Sequence, residues 1–327
     1  MGEIHARCIS QIEGVKLAAV YDTDSQKARE LASKFECVVL NSLEQLFVEP
    51  DIDAVYVCTP HNTHGEIVMA ALEHGKHVFC EKPLALSTEE AVAVAVEAEK
   101  RGLIVAVGFN HRFTQPVGVA RAFLREHNLT VVLAQLQFSC SPFMEGWAGD
   151  PVIGGGVLHC LGSHAFDLLN YLLQKPVNWV YCTTARRRLP VGFAPDTAIV
   201  TIGYEGGTIA TCALHDHAPS VFSVGEKNMI RIELVTLQGT MLIWGIKGIV
   251  EWFSTQGTTV TYKARYPKET IEAMWGYLEE NRRFIARVQG NDVELPTARD
   301  GVYACKLVKA AELSAQENRP ITLGEVI

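Results

Sequence analysis

Residues 77–83, with the sequence HVFCEKP, join a short apolar run to a carboxylate, an ammonium and a proline. Proline fixes its own φ and offers no N–H to a strand ladder, so the predicted strand must end before Pro83. Glu81 and Lys82 therefore stand at a strand end, which is where ligands bind in an α/β sheet. An ordinary surface Glu–Lys pair is the competing interpretation, and this stretch alone does not decide between the two.

The sequence around this stretch alternates between strand-like and helix-like segments. Strands are predicted over residues 15–21, 37–40, 54–58, 77–80 and 103–107, and helices over residues 25–34, 42–47, 64–74 and 87–101. Ser87 and Glu90 form a capping box, and Gly75 is the residue type expected just after a helix end. This rhythm predicts a Rossmann-type, doubly wound parallel sheet of the α/β class.

The pattern changes after Arg112, where longer strands follow one another. They are predicted over residues 130–138, 177–184, 197–204, 208–214, 229–237, 240–244, 250–254 and 258–262, with helices over 164–173, 271–288 and 300–317. Gly206 and Gly207 predict a hairpin turn, and hairpins with apolar alternation favour one large, open, mostly antiparallel sheet. We therefore expect a dinucleotide-binding domain over residues 1–112 and an α+β substrate and oligomerisation domain over residues 113–327.

Composition excludes several classes of function. With 327 residues, two domains are expected, and the net charge of -8 argues against a nucleic-acid groove. The basic run at 186–188 is short, and no apolar stretch is long enough to cross a bilayer. Nine cysteines without a CxxC pair favour free thiols, and no signal peptide is recognised. These features predict a cytoplasmic protein.

Three motifs, CTPHNTH at 58–64, EKP at 81–83 and GGGVLHCLGSH at 154–164, together resemble the Gfo/Idh/MocA family. The members of this family are nicotinamide-dependent oxidoreductases that act on sugars and cyclitols. The resemblance runs from Gly2 to the C-terminus. It implies that the last helix, near residues 300–317, packs back on the first domain, and that the open sheet pairs in a homodimer or homotetramer.

The front of the nucleotide site departs from the family pattern. A dinucleotide site needs a strand, a glycine-rich turn and a helix N-terminus. Gly2 corresponds to the last glycine of that turn, and Asp22 follows it by 20 residues, as expected for the ribose-binding acid. An acid here would repel a 2′-phosphate, so NAD is preferred over NADP. We expect the cofactor to contact Gly2, Asp22, Thr59, Pro60, His64, Glu81 and Lys82.

The first strand and the two earlier glycines of the motif are missing from this sequence. Without that strand, its neighbours would have unpaired backbone groups and exposed apolar edges. Two explanations are open: the sequence begins at an internal methionine of a longer protein, or the protein is shortened and does not bind dinucleotide normally. The first is favoured because every later element is intact. Asp22 as a turn residue is a further alternative.

The resemblance implies that a lysine, an aspartate and a histidine in the spacing D-x-x-x-H manage the hydroxyl proton. Lys82 and His164 fall on two of these positions, and Cys160 replaces the aspartate. A neutral thiol cannot do the work of a carboxylate, whereas a thiolate would need activation. The catalytic candidates are therefore Lys82, His164 and Cys160. The substrate-binding candidates are Lys82, His111, Arg112, Trp147 and His164.

Several alternatives remain at this stage. Glu81 either orients Lys82 or forms a structural ion pair, and residues 110–113 either reach the ligand or link the domains. His159, Cys160 and His164 do not share a helix face well, so no metal site is expected. The predicted activity is hydride transfer between NAD and a secondary hydroxyl of a sugar, cyclitol or related polyol. An NAD-dependent glycosidase and a catalytically silent sugar-binding protein are the rivals.

Overall fold

The computed structural model describes residues 1–218, 228–245 and 247–326. The helices are α1 (Gly2–Ile9), α2 (Ser25–Phe35), α3 (Leu43–Val48), α4 (His64–Glu73), α5 (Thr88–Arg101), α6 (Gln115–Glu126), α7 (Ser163–Leu173), α8 (Ile271–Met274), α9 (Tyr277–Val288) and α10 (Ala298–Glu317). None of these helices is both long enough and apolar enough to cross a membrane.

The strands fall into a short N-terminal set and a longer C-terminal set. They are β1 (Ala19–Val20), β2 (Val38–Val39), β3 (Ala54–Val57), β4 (His77–Cys80), β5 (Val105–Val107), β6 (Val131–Cys140), β7 (Val177–Ala185), β8 (Thr197–Tyr204), β9 (Ile209–His215), β10 (Asn228–Thr236), β11 (Gly239–Trp244), β12 (Ile249–Ser254), β13 (Thr259–Lys263) and β14 (Ile321–Thr322).

The N-terminal strands form two separate parallel sheets. One sheet is β1–β2, and the other has the order β3–β4–β5. Among the described residues, β1 and β3 each pair on one side only, which is the consequence predicted for a missing central strand. The predicted strand over residues 15–21 shortens to Ala19–Val20, because it has a ladder partner on one side alone. The expected Rossmann-type arrangement is otherwise confirmed.

The middle strand of the larger parallel sheet is the most buried. Val78, Phe79 and Cys80 of β4 are fully buried between β3 and β5 and the helices that cover the sheet. Apolar residues on both faces of a parallel strand are expected when helices cover both faces. The strand therefore holds its C-terminal end, at Glu81 and Lys82, in a fixed position.

The second region is built on a nine-stranded sheet of order β13–β12–β11–β10–β6–β9–β8–β7–β14. All its neighbouring strands are antiparallel except the pair β6–β9. Helices α6, α7 and α10 pack on one face, and α10 also packs on α5. The other face carries exposed apolar side chains, including Ile199, Ile209 and Phe253. The expected open, mostly antiparallel sheet is confirmed.

Three elements differ from the prediction. The helix predicted over residues 271–288 breaks into α8 and α9 at Gly276, whose φ of +83° ends the first segment. A Cβ at Gly276 would lie 2.3 Å from the carbonyl oxygen of Asn110, so the close approach needs glycine. Helix α6 was not predicted, although Pro116 in its first turn is a helix-start signal. The edge strand β14 was also not predicted.

Candidate active site

One cleft joins the predicted nucleotide residues to the predicted catalytic residues, and its volume of about 1860 Å³ includes the slot between β1 and β3, lined by residues such as Ala18 and Val55. At one end it is lined by the start of α1, the end of β1 and the end of β3. At the other end it is lined by Lys82, His111, Cys160, His164 and Trp147. The structure therefore brings the two groups of residues to one continuous space.

The nucleotide end of the cleft has two features of a dinucleotide site, a helix N-terminus and an acid after β1. Gly2 places the N-terminus of α1 on the cleft wall without a side chain, and such a helix end favours a phosphate. Asp22 is exposed at the end of β1, and its Oδ1 accepts the N–H of Asp24 at 2.8 Å. Asp22 thus shapes a turn, as the alternative interpretation held, while its carboxylate lines the cleft. Thr59 and Pro60 line the same wall.

His64 also lines the cleft, but both of its ring nitrogens are engaged. Nδ1 lies 2.7 Å from the carbonyl oxygen of Pro83, and Nε2 lies 2.9 Å from that of Thr59. The fully buried ring therefore joins the loop after β3 to the loop after β4. His64 fixes the position of cofactor-side loops, and its ring nitrogens are not free for a ligand.

A hydrogen-bonded chain behind Lys82 was not predicted. His5 of α1 donates from Nε2 to Oε1 of Glu81 at 2.9 Å, and Nδ2 of Asn281 donates to Nδ1 of His5 at 3.0 Å. Burial alone would raise the pKa of Glu81. The hydrogen bond from His5 and the charges of His5 and Lys82 outweigh the effect of burial, so the pKa of Glu81 is lowered. Glu81 therefore faces α1, and its Oε2 accepts the backbone N–H of Lys82, at 3.1 Å.

Lys82 reaches across the cleft to the turn that carries Cys160. Its Nζ donates to the carbonyl oxygen of Cys160 at 3.0 Å. Residues Leu158–Gly162 form a π-helical turn before α7, a feature that often marks functional sites. The thiol of Cys160 points to the carbonyl oxygen of Ala148, 3.8 Å away. Burial raises the pKa of this thiol to about 11, although Lys82 lowers it, which favours the neutral thiol over the thiolate at neutral pH.

His164 and His111 form a pair of buried rings beside Lys82, with centroids 4.7 Å apart. Burial, followed by the charge of Lys82, lowers the pKa of His164 well below 6.5. The same two causes lower the pKa of His111 to about 3. Both rings are therefore uncharged at neutral pH, and His164 can accept a proton from a ligand.

Arg112 does not reach the cleft, which corrects its prediction as a substrate-binding residue. Its guanidinium donates to both carboxylate oxygens of Asp167 and, at 2.7 Å, to Oδ1 of Asp300. Its guanidinium also lies over the ring of Tyr171. Arg112 thus links the loop after β5 to α7 and α10. The carboxylate of Asp167 is thus engaged by Arg112.

The glycine run at 154–156 lets two loops approach each other closely. His61 donates from Nδ1 to the carbonyl oxygen of Gly154 at 2.8 Å, and its ring meets the ring of Trp147 edge-on. A Cβ at Gly155, where φ is +75°, would lie 2.3 Å from the ring of His159. The ring of His159 in turn forms a hydrogen bond with Glu312 through Nε2, at 3.0 Å. His61 belongs to the motif at residues 58–64, but it was not predicted as a site residue.

Comparison with known proteins agrees with this geometry. Residues 1–109 match the family described as "Oxidoreductase family, NAD-binding Rossmann fold", and residues 129–323 match "Oxidoreductase family, C-terminal alpha/beta domain". The myo-inositol 2-dehydrogenase of Thermotoga maritima is 27% identical, over 100% of this chain and 97% of the relative. The inositol 2-dehydrogenase of Rhizobium meliloti is 25% identical, over 99% and 96%.

A solved structure with the same fold contains the cofactor. GenD2 from gentamicin A biosynthesis, in complex with NAD, superimposes with a TM-score of 0.86 at 25% identity, over 98% of this chain and 93% of that chain. Both family models match in order and together span most of the sequence. The chain therefore belongs to the Gfo/Idh/MocA family of oxidoreductases.

Proposed function

We propose that this protein is an NAD-dependent dehydrogenase that transfers a hydride between nicotinamide and a secondary hydroxyl of a sugar, a cyclitol or a related polyol. The match to the NAD-binding family and the names of the inositol dehydrogenase relatives support this assignment. The carboxylate of Asp22 supports NAD over NADP, because it would repel a 2′-phosphate and can accept hydrogen bonds from ribose hydroxyls.

One observation carries the proposal: the ammonium of Lys82 and the uncharged ring of His164 line the same cleft as Gly2 and Asp22. Oxidation of a secondary alcohol removes a hydride from carbon and a proton from oxygen. NAD, when bound, supplies the hydride acceptor. Lys82 donates a hydrogen bond to the reacting oxygen, and the imidazole of His164 takes the hydroxyl proton. The products are a carbonyl, NADH and one proton.

Other residues position this pair. Cys160 holds Lys82 through its backbone carbonyl, and Glu81 holds the backbone of Lys82 from behind. His111 packs against His164 and keeps that ring in place. Trp147 is 45% exposed at the mouth of the cleft, where an aromatic face can stack on a sugar ring.

The test is to incubate the protein with NAD and a panel of sugars, cyclitols and alditols, and to follow the formation of NADH. Net NADH that depends on one class of polyol supports the proposal. Product without net NADH would support the redox-neutral glycosidase instead. Absence of energy transfer from tryptophan to added NADH, together with absence of turnover, would support the silent sugar-binding protein.

We also propose that residues 1–112 and 113–327 act as the cofactor and substrate domains, and that the open face of the nine-stranded sheet pairs in a homodimer or homotetramer. The exposed side chains of Ile199, Ile209 and Phe253 on that face support the pairing. The nine free cysteines support a reducing, cytoplasmic location.

A further inference from the structure

At the substrate end of the cleft, the ammonium of Lys82 forms no salt bridge with a carboxylate among the described residues. The ammonium of Lys82 donates to a neutral acceptor, the carbonyl oxygen of Cys160. The nearest carboxylate along the chain, Glu81, is directed away, because its two oxygens accept from His5 and from the backbone of Lys82. The ammonium of Lys82 is therefore not hydrogen-bonded to the carboxylate of its sequence neighbour.

The other polar side chains around Lys82 do not supply a negative charge. Burial keeps the thiol of Cys160 protonated, and it keeps the rings of His111 and His164 uncharged. Burial and then the charge of Lys82 also lower the pKa of His61 to about 2. Glu81, whose pKa is lowered, lines the same cleft, but its carboxylate is bound to His5 and to the backbone N–H of Lys82 rather than to the ammonium.

A cation in a partly buried site is costly unless an anion pairs with it. An ammonium has three N–H donors, and one is already bound to the carbonyl of Cys160. The remaining two can bind two substrate oxygens at once, one of a carboxylate and one of the reacting hydroxyl. A carboxylate on the substrate would balance the charge, and it would be attracted further when the positively charged nicotinamide is bound.

We propose that the substrate is a sugar acid, a polyol that carries a carboxylate close to the hydroxyl that is oxidised. This inference rests on the proposed dehydrogenase function and specifies its substrate class. The reaction is unchanged: the CH–OH group loses a hydride to NAD and a proton to His164, and the carboxylate takes no part in bond making or breaking. Its role is to pair with Lys82.

The test compares kcat/KM for matched pairs that differ only in a carboxylate, such as glucuronate with glucose, galacturonate with galactose, and gluconate with glucitol. We expect the acid of at least one pair to be preferred by about tenfold or more, because a charged pair at a desolvated site is worth at least that factor. A preference for the neutral member in every pair would overturn the inference while leaving the dehydrogenase function standing. No oxidation of any compound would overturn both.

Two variants of Cys160 provide a second test of the charge preference. Cys160→Asp introduces a carboxylate into the turn that binds the ammonium of Lys82, and we expect the acid-to-neutral ratio of kcat/KM to fall about tenfold or more. Cys160→Asn has nearly the same shape without the charge and should keep the wild-type ratio. Equal ratios in the two variants, both folded by circular dichroism, would reject the inference. If Cys160→Asp does not fold, the wild-type comparison still decides.

Discussion

Lys82 is the residue on which the proposed chemistry depends most. It extends from the end of β4, where three consecutive strand residues are fully buried, to the carbonyl of Cys160 on the facing turn. Glu81 is held from the other side by His5. The side chain is therefore fixed at both its backbone and its ammonium, which is the preorganisation that proton handling requires.

We predict that Lys82→Met lowers kcat by about 10²–10⁴-fold, the range typical of a lost acid–base group. Methionine has a similar length and preserves the packing, but it has no N–H donor. Steady-state kinetics with the best substrate of the panel measures the loss, and NADH fluorescence checks that cofactor affinity is kept. A variant with kcat within a few-fold of the wild type would remove Lys82 from the mechanism.

His111 gives a prediction about pH. Its pKa is lowered to about 3 in the folded chain, whereas an unfolded histidine titrates near 6.5. Below pH 6.5 the unfolded chain binds a proton that the folded chain does not. The stability linked to this group is therefore full above that pH and is lost as pH falls, by about 1.4 kcal/mol per pH unit.

We predict that His111→Phe, which keeps the ring but cannot titrate, loses less stability on acidification than the wild type does. Between pH 7 and pH 5.5 the difference should be about 1.3 kcal/mol in the free energy of unfolding. Urea unfolding at the two pH values measures it. An identical pH dependence in both proteins would show that His111 is not buried as described.

At the scale of single residues, sequence reasoning found Lys82, His164 and the cleft-lining Thr59 and Pro60 because motifs mark them. It missed His5, because the partner of His5 lies 76 residues further along the chain and only the folded structure brings them together. It assigned Arg112 to the substrate because a charged residue after a strand commonly binds ligands. The ion pairs of Arg112 with Asp167 and Asp300 could not be predicted from sequence spacing.

At the scale of elements, the glycine run and the π-helical turn act as one unit. Gly155 has a positive φ, and its hydrogen atoms leave room for the ring of His159 at the start of that turn. Because Cys160 follows in the same turn, a displacement of His159 would move the carbonyl that binds Lys82.

We predict that Gly155→Ala lowers both the melting temperature and kcat, because the added Cβ would lie 2.3 Å from His159. Gly102→Ala is the matched control: its φ of +66° is similarly strained, but nothing lies within 4 Å of the new Cβ. Thermal unfolding and kinetics of both variants separate the clash from the backbone strain. Equal losses in the two would mean that the contact with His159 does not matter.

The ends of the helices and strands show which features of the fold could be predicted from sequence patterns and which could not. The helices α4, α5 and α10 were predicted within a few residues because capping residues and glycines mark their ends. The break between α8 and α9 was not predicted. Position 276 requires glycine because a Cβ there would clash with the carbonyl oxygen of Asn110, which is distant in sequence. Strand β14 is two residues long and has no pattern of its own.

At the scale of the whole molecule, the nine-stranded sheet has one face covered by helices and one face open. Ile199 and Ile209, on the neighbouring strands β8 and β9, are 47% and 43% exposed on that open face. Exposed apolar residues on a broad sheet favour association with a second copy. The architecture of both regions could be predicted because polar/apolar alternation and the alternation of strands with helices are strong signals.

We predict that Ile199→Lys converts the assembly to monomers while the melting curve keeps a single transition. The cause is the cost of burying an unpaired ammonium between two sheets. Light scattering after size-exclusion chromatography measures the mass. Val191→Lys, at a position 90% exposed outside the strands, is the control and should leave the mass unchanged. A wild-type protein that is already monomeric would refute the pairing.

The separation of β1–β2 from β3–β4–β5 has a consequence for protection against amide hydrogen exchange. In the part of the chain that the structure describes, no backbone ladder joins these sheets, and both line the cleft. The amides of Val38 and Leu40, bonded to Ala18 and Val20, should therefore exchange with deuterium sooner than those of β4. A dinucleotide bridging the cleft would tie the sheets together. Addition of NADH should therefore slow amide exchange at Val38 and Leu40 more than it slows exchange in β4. The exchange rates at these two amides would report whether the cofactor site is occupied, at a distance from the reacting carbon.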